Sequence, residues 1–421
     1  MSDATLSLIV LGAAVALFVW NRLPVAVVAV LTALALAATG VLTEQQALAG
    51  FGDPVVLFIA SLFVLSDGLE ASGVTAWAGR QLLTRAGTGR TRVLVSLMAL
   101  GALLAAFVTP NGAAAAGLPI LALVARRADI APSRLAVPLA YAASAGALLT
   151  LSGSPVNVIV ADALQDATGR RFGFFEFAAV GAPLVVVTVV VAVLAGDRLL
   201  PDRQAATPED GPAAVRPVPD RLGARAAWAV GVLVVTVALL ASGAVGAATA
   251  GLAGAAAMVL TRATTATHAL RAIPWETLVL IGGLVPLSVA IAESGAADLL
   301  ADAVVGVVPE GDGRLLLVAL FVLTVTLGQF VSNAATVLVI TPIALAAAET
   351  VGVAAEPVLM LVAAAGAASF LTPIATPANM IVRDAGGYRF GDYWRLGLVT
   401  TGAWLVVVVV VVPLVWPLHP R

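Results

Sequence analysis

Long apolar stretches, separated by short polar or charged turns, run along almost the whole chain. A membrane-spanning helix needs about 17–25 mainly apolar residues, because the lipid hydrocarbon core is ~30 Å thick. Ten stretches meet or approach that length: 5–20, 24–42, 54–70, 134–165, 174–196, 226–242, 244–262, 275–292, 357–383 and 395–417. Residues 1–20 lack a basic leader and a small-residue cleavage site, so they read as a helix of the mature chain. Two further apolar stretches are interrupted. Residues 91–127 break at Thr109-Pro110-Asn111-Gly112, and residues 314–348 break at Ser332-Asn333. Proline removes a backbone donor and glycine loosens a helix. Each stretch is either a bent helix pair or two full spans.

Flanking charge selects the bent pair. Arg90 and Arg92 precede the first stretch, and Arg126 and Arg127 follow it. Arginine favours the cytoplasmic side of a membrane, so both ends belong there and 91–127 is predicted to be a re-entrant hairpin. The second stretch is flanked by Glu310, Asp312, Glu349 and Glu356, with only Arg314 basic. It fits a hairpin entering from outside. With ten spans, two hairpins and the N-terminus outside, 18 of the 22 arginines fall inside. Arg170, Arg171, Arg314 and Arg421 fall outside; Arg80 and Arg85, on the amphipathic segment 72–90, fall inside.

The two halves repeat. Asn111 and Asn333 lie 222 residues apart, as do Gly73 and Gly295, Thr150 and Thr372, Pro155 and Pro377, and Asn157 and Asn379. Each half is predicted to hold five spans and one hairpin. Five is odd, so the second half must insert upside down. Inverted repeats with helices broken at the midplane are a mark of secondary transporters. The expected organisation has scaffold helices over 5–90 and 226–312. A transport half over 91–196 comprises hairpin 91–127, broken helix 134–165 and helix 174–196. Its counterpart over 313–417 comprises hairpin 314–348, broken helix 357–383 and helix 395–417. Residues 197–225, rich in Pro, Asp and Arg, read as a cytoplasmic linker too short for a domain.

Composition removes other classes. Hydrophobic residues make up 61% and charged residues 11%, with a mean hydropathy of +1.06. A soluble domain carries about 25% charged residues, so a soluble enzyme and a nucleic-acid binder are excluded. Cysteine and lysine are absent and only His268 and His419 are present. Thiolate chemistry, a Walker-A lysine and a His-pair zinc site are therefore excluded. No nucleophile–base pair suits an intramembrane enzyme.

The candidate chemistry lies at four breaks: the two hairpin tips, and the unwound points at Ser152–Asn157 and Ile374–Asn379. Interrupting a helix frees carbonyls for cations and N–H groups for anions. The predicted substrate contacts are Thr109, Pro110, Asn111, Gly112, Ser154, Pro155, Asn157, Ser332, Asn333, Ala334, Thr376, Pro377 and Asn379. Helix N-termini after Asn111 and Asn333 supply a positive field for an anion. Asp67 and Glu70 fall near the inner end of span 54–70 and are expected to be solvated, and Asp162 is a candidate proton-linked group.

The segments Ser332-Asn333-Ala334-Ala335-Thr336 with Pro342, and Pro138–Tyr141 followed by Thr150–Asn157, resemble the divalent anion:sodium symporter family. The likeness covers nearly the whole chain. It implies an all-α polytopic fold, a homodimer in the inner membrane and an elevator motion of the transport halves. By motif, Asn111 and Gly153 would hold one sodium, and Asn333 and Ala375 the other. The family's tips carry Ser-Asn-Thr; here Pro110, Gly112 and Ala334 replace hydroxyl residues. That departure leaves dicarboxylate specificity open. The expectation is a sodium-coupled carrier of a small anion. A proton- or potential-driven oxyanion exporter and a channel are the competing readings.

Overall fold

The computed structural model describes residues 2–20, 22–86, 89–203, 222–306 and 312–419. The linker core 204–221, Glu310 and Arg421 lie outside them. The first half forms ten helices: α1 (Asp3–Trp20), α2 (Val25–Ala38), α3 (Glu44–Ala49), α4 (Pro54–Ala71), α5 (Val74–Ala86), α6 (Arg90–Ala105), α7 (Pro110–Ala128), α8 (Ala136–Gly146), α9 (Pro155–Thr168) and α10 (Ala178–Leu199). The second half runs in the same order: α11 (Ala224–Ser242), α12 (Ala247–Leu260), α13 (Ala266–Ala272), α14 (Trp275–Glu293), α15 (Ala296–Val305), α16 (Gly313–Gly328), α17 (Asn333–Val351), α18 (Ala355–Ala367), α19 (Pro377–Gly386) and α20 (Tyr393–Val415).

Seven segments among the described residues are long and apolar enough to cross a membrane, and the chain is a multi-pass membrane protein. They are Asp3–Trp20, Glu44–Ala71, Ala178–Leu199, Ala224–Ser242, Trp275–Glu293, Asn333–Val351 and Phe390–Val415. The ten expected spans differ from these in instructive ways. Stretches 24–42 and 244–262 hold helices of only 14 residues, about 21 Å at 1.5 Å per residue. The first ends where Gly40 turns to φ +76°, and the second where Arg262 turns to φ +58°. Span 54–70 is lengthened by α3 and a 3-10 turn at Gly50–Gly52. Stretches 134–165 and 357–383 are split, with non-helical chain around Ser154 and Thr376.

The interrupted stretches fold back on themselves. Leu139 of α8 contacts both Gly101 on α6 and Gly117 on α7. In a straight helix those glycines would stand about 24 Å apart. Thr336 of α17 likewise lies against Gly328 of α16. α17 is long enough to cross lipid, yet 72% of its apolar window is buried inside the protein. Its tip connection, Gln329–Ser332, turns it back along α16.

Two packed units result. In the scaffold, α2 lies against α14 and α12 against α4. Both contacts depend on small residues. A Cβ on Gly283 would collide with the backbone of Ala29, and one on Gly251 with Ser61. Close backbone approach of this kind is how helices associate in lipid, where apolar burial offers little drive. In the other unit, α8 packs on α6, α7 and α10, α18 packs on α9, α16 and α17, and α10 pairs with α20. Buried polar contacts tie its halves together: Tyr141 Oη donates to Phe370 O at 2.6 Å, and Trp404 Nε1 to Thr188 Oγ1 at 2.8 Å.

Candidate anion site at four helix N-termini

Helices α7, α9, α17 and α19 all begin at one cavity of about 1890 Å³. The residue before each helix is a hydroxyl N-cap on the wall: Thr109, Ser154, Ser332 and Thr376. Such a residue can satisfy one of the free N–H groups of a helix's first turn, and three of the four do so; the Thr376 side chain makes no cap bond. Thr109 Oγ1 accepts from Gly112 N at 3.2 Å, Ser154 Oγ from Val156 N at 3.3 Å, and Ser332 Oγ from Ala335 N at 3.4 Å. Proline at the first helical position of α7, α9 and α19 costs nothing, since its missing N–H would go unbonded there. Four helix dipoles therefore place partial positive charge on one cavity. The basic groups on its wall among the described residues, Arg126, His268 and Arg271, are exposed and lie away from the tips in sequence.

Pro110, Asn111, Gly112, Pro155, Asn333, Ala334, Ala375 and Pro377 line the same cavity. Asn157 and Asn379 do not; both are fully buried beside the unwound segments. Asn157 Nδ2 donates to Ala147 O and Thr150 O, each at 2.8 Å. Asn379 Nδ2 donates to Ser369 O at 2.8 Å and Thr372 O at 3.0 Å. These are matched bonds at the 222-residue offset. Each amide closes the loop that breaks its helix. The Oδ1 atoms of both accept no hydrogen bond among the described residues. Gly153 is also off the wall, where a Cβ would overlap the backbone of Ala147.

The halves differ around their tips. Ser369 Oγ donates to Asn333 Oδ1 at 2.6 Å, whereas the matching position in the first half is Ala147. Gln329 Oε1 accepts from Leu371 N at 3.1 Å, bracing the second tip against its unwound segment. The first tip is held instead by Thr150 Oγ1, which donates to Ala106 O. Phe330 and Ile374 present apolar surface to the cavity, 58% and 54% exposed.

One site escaped the sequence reading. Asp67 is only 9% exposed. Its carboxylate accepts from Thr264 Oγ1 at 2.7 Å, and its two oxygens lie 2.8 and 2.9 Å from His268 Nδ1. The expected solvated helix end is thus a packed polar cluster, because α13 folds over the end of α4. An acid within an apolar helix and a rare histidine were the available signals, but 201 residues separate them.

The chain matches the citrate transporter family over residues 15–364 and 307–419. It is 24% identical to the uncharacterized transporter YfbS of Escherichia coli (strain K12), covering 97% of this chain and 98% of that one. It is 26% identical to the sodium-dependent dicarboxylate transporter SdcS of Staphylococcus saprophyticus, covering 94% and 83%. A shorter match, 29% identical over 42% of this chain and 21% of the other, is to a probable sodium/sulfate cotransporter of Chlamydomonas reinhardtii. The crystal structure of the YdaH transporter of Alcanivorax borkumensis superposes with a TM-score of 0.65 at 16% identity, over 97% of this chain and 100% of that one. An all-helical chain whose broken helices meet at one cavity, matched by this family along nearly its full length, belongs to the citrate transporter family.

Proposed function

We propose that the protein is a sodium-coupled secondary carrier of a small anion in the cytoplasmic membrane. The observation that carries this reading is the convergence of four helix N-termini, three of them hydroxyl-capped, on one cavity. A small oxyanion or carboxylate suits that field without a basic side chain at the tips. Sodium coupling draws support from the buried Oδ1 atoms of Asn157 and Asn379, which lack a donor. An oxygen acceptor buried without a partner costs about 1–3 kcal/mol, and a hard cation would satisfy it. Asn111 with Gly153, and Asn333 with Ala375, remain the proposed cation positions. The names of the staphylococcal and algal relatives point the same way.

The two halves act as an inverted repeat with re-entrant hairpins. The unit of α6–α10 and α16–α20 moves as one body against the scaffold, and two copies pair as a homodimer. In the described state the cavity reaches exposed Arg126, Arg271 and Asp384, the arginine-rich side read as cytoplasmic. By contrast, α17 packs directly on α14 and α15. That asymmetry is what an inward-open carrier requires.

The test is uptake into proteoliposomes of radiolabelled citrate, succinate, sulfate, phosphate and arsenite, with and without a sodium gradient. Saturable, sodium-dependent uptake of one anion is expected. Proton-driven efflux indifferent to sodium would replace the reading with the exporter.

A further inference from the structure

The Asp67–His268 cluster takes no part in the four-helix site, yet both residues line the same cavity. The pair belongs to the scaffold, on α4 and α13, and it is not duplicated by the repeat. The positions 222 residues away are Val289 and Gln46. Ser66, next to Asp67, lies beside Gly112 of the first tip. The pair therefore stands on the fixed wall, along the route between the tips and the arginine-rich mouth.

The chemistry of the pair follows from which nitrogen is used. His268 Nδ1 faces a carboxylate, which can only accept, so Nδ1 carries the proton. In the neutral ring Nε2 is then a bare lone pair. The His268 side chain is 57% exposed while the Asp67 side chain is 9% exposed. Nε2 makes no hydrogen bond among the described residues. A lone pair on the cavity wall offers nothing to an anion. A proton added at Nε2 converts it into a charge-assisted donor, while Asp67 keeps the ring in place.

We propose that His268, oriented by Asp67 and Thr264, is a transit site for the anion on the cytoplasmic side of the cavity, engaged only when Nε2 is protonated. The ligand class is a carboxylate or inorganic oxyanion, and one proton is taken up with it. The inference deepens the carrier reading and rests on it for the direction of the cavity. Protonation of Nε2 as pH falls adds the donor and tightens anion binding; its loss as pH rises removes the donor.

Other charged groups surround the pair. Glu70 of α4, Arg126 of α7, Arg271 of α13, Glu276 of α14 and Asp384 of α19 face the cavity. Of the elements packed on α4, α5 carries Arg80, α9 carries Asp162 and Asp166, α11 carries Arg225, and Arg262 follows α12. The remaining histidine, His419, is near Gly352 O at 3.3 Å, at the other end of the chain.

The test uses sulfate as the probe, since its charge does not change between pH 6 and pH 8. Binding to the purified full-length protein is read by the sulfate-dependent rise in Tm and by equilibrium titration. Wild type is expected to bind about tenfold tighter at pH 6 than at pH 8, the size of one hydrogen bond to a charged group. His268→Gln should bind weakly at both values. His268→Arg, a fixed donor, should bind tightly at both, which a merely structural role for the histidine would not produce. An unchanged pH ratio in His268→Gln overturns the proposal. So does loss of the ratio in Asp162→Asn, or a wild type that binds sulfate equally, or not at all, at the two values. Failure of the carrier reading looks different: no anion in the panel is taken up, while sulfate binding and its pH ratio persist.

Discussion

At the scale of single residues, the four asparagines at the helix breaks divide into two pairs with different work. Asn111 and Asn333 face the cavity, so Asn111→Ala and Asn333→Ala are each expected to abolish transport while leaving membrane insertion intact. Full uptake in both variants would remove the assigned site. Asn157 and Asn379 are buried and hold broken-helix loops through two bonds each. Asn157→Ala and Asn379→Ala leave buried carbonyls unpaired and should lower stability by about 1–3 kcal/mol. Thermal unfolding in detergent measures this, and an unchanged Tm would deny the bracing role. The sequence placed all four on a par because their spacing is the same in both halves. Only packing reveals which side chains turn inward to the backbone.

At the scale of elements, the hairpins are the informative feature. Their breaks were legible because Pro110, Asn111 and Gly112, or Ser332 and Asn333, interrupt otherwise apolar runs. The short helices α3, α13 and α15 were not legible, since six to ten residues give too little periodicity to stand out. The hairpin reading makes a labelling prediction that the absence of native cysteine keeps clean. Single cysteines replacing exposed Arg92 or Arg127 should react with an impermeant maleimide from the cytoplasmic side. Those replacing exposed Arg314 or Glu349 should react from outside. If all four react from one face, the inverted arrangement is wrong. The tips themselves are poor reporters, because Pro110 and Ser332 share one cavity.

At the scale of the whole molecule, the proposed carrier motion requires α6–α10 and α16–α20 to hold together as one body. Ion pairs join its halves at both ends. Arg203 bonds Asp392 at 2.6 Å, and Arg170, itself paired with Glu176 of its own half at 2.5 Å, reaches Glu356 at 3.4 Å. Exposed pairs of this kind contribute only about 0–1 kcal/mol. Cohesion comes mainly from the buried α8, α10, α18 and α20 contacts, with the pairs setting alignment. A cross-link between unit and scaffold should therefore arrest transport. A Cβ at Gly112 would lie 4.0 Å from Ser66 Oγ. Oxidised Ser66→Cys/Gly112→Cys protein should lose uptake and regain it on reduction. Uptake unaffected by a demonstrated disulfide would rule out relative motion at that contact.

What the sequence determined by itself was the solvent, the helical class and the positions of the breaks. Each is written locally: in runs of apolar residues, in rare Pro and Asn at a constant offset, and in the distribution of arginine. What the tertiary structure alone decided was adjacency: four helix N-termini on one cavity, the inward turn of Asn157 and Asn379, and the pairing of Asp67 with His268. Those contacts join residues far apart in the chain. They depend on how closely helices approach, and the small residues that permit such approach are too common in lipid-facing helices to identify it beforehand.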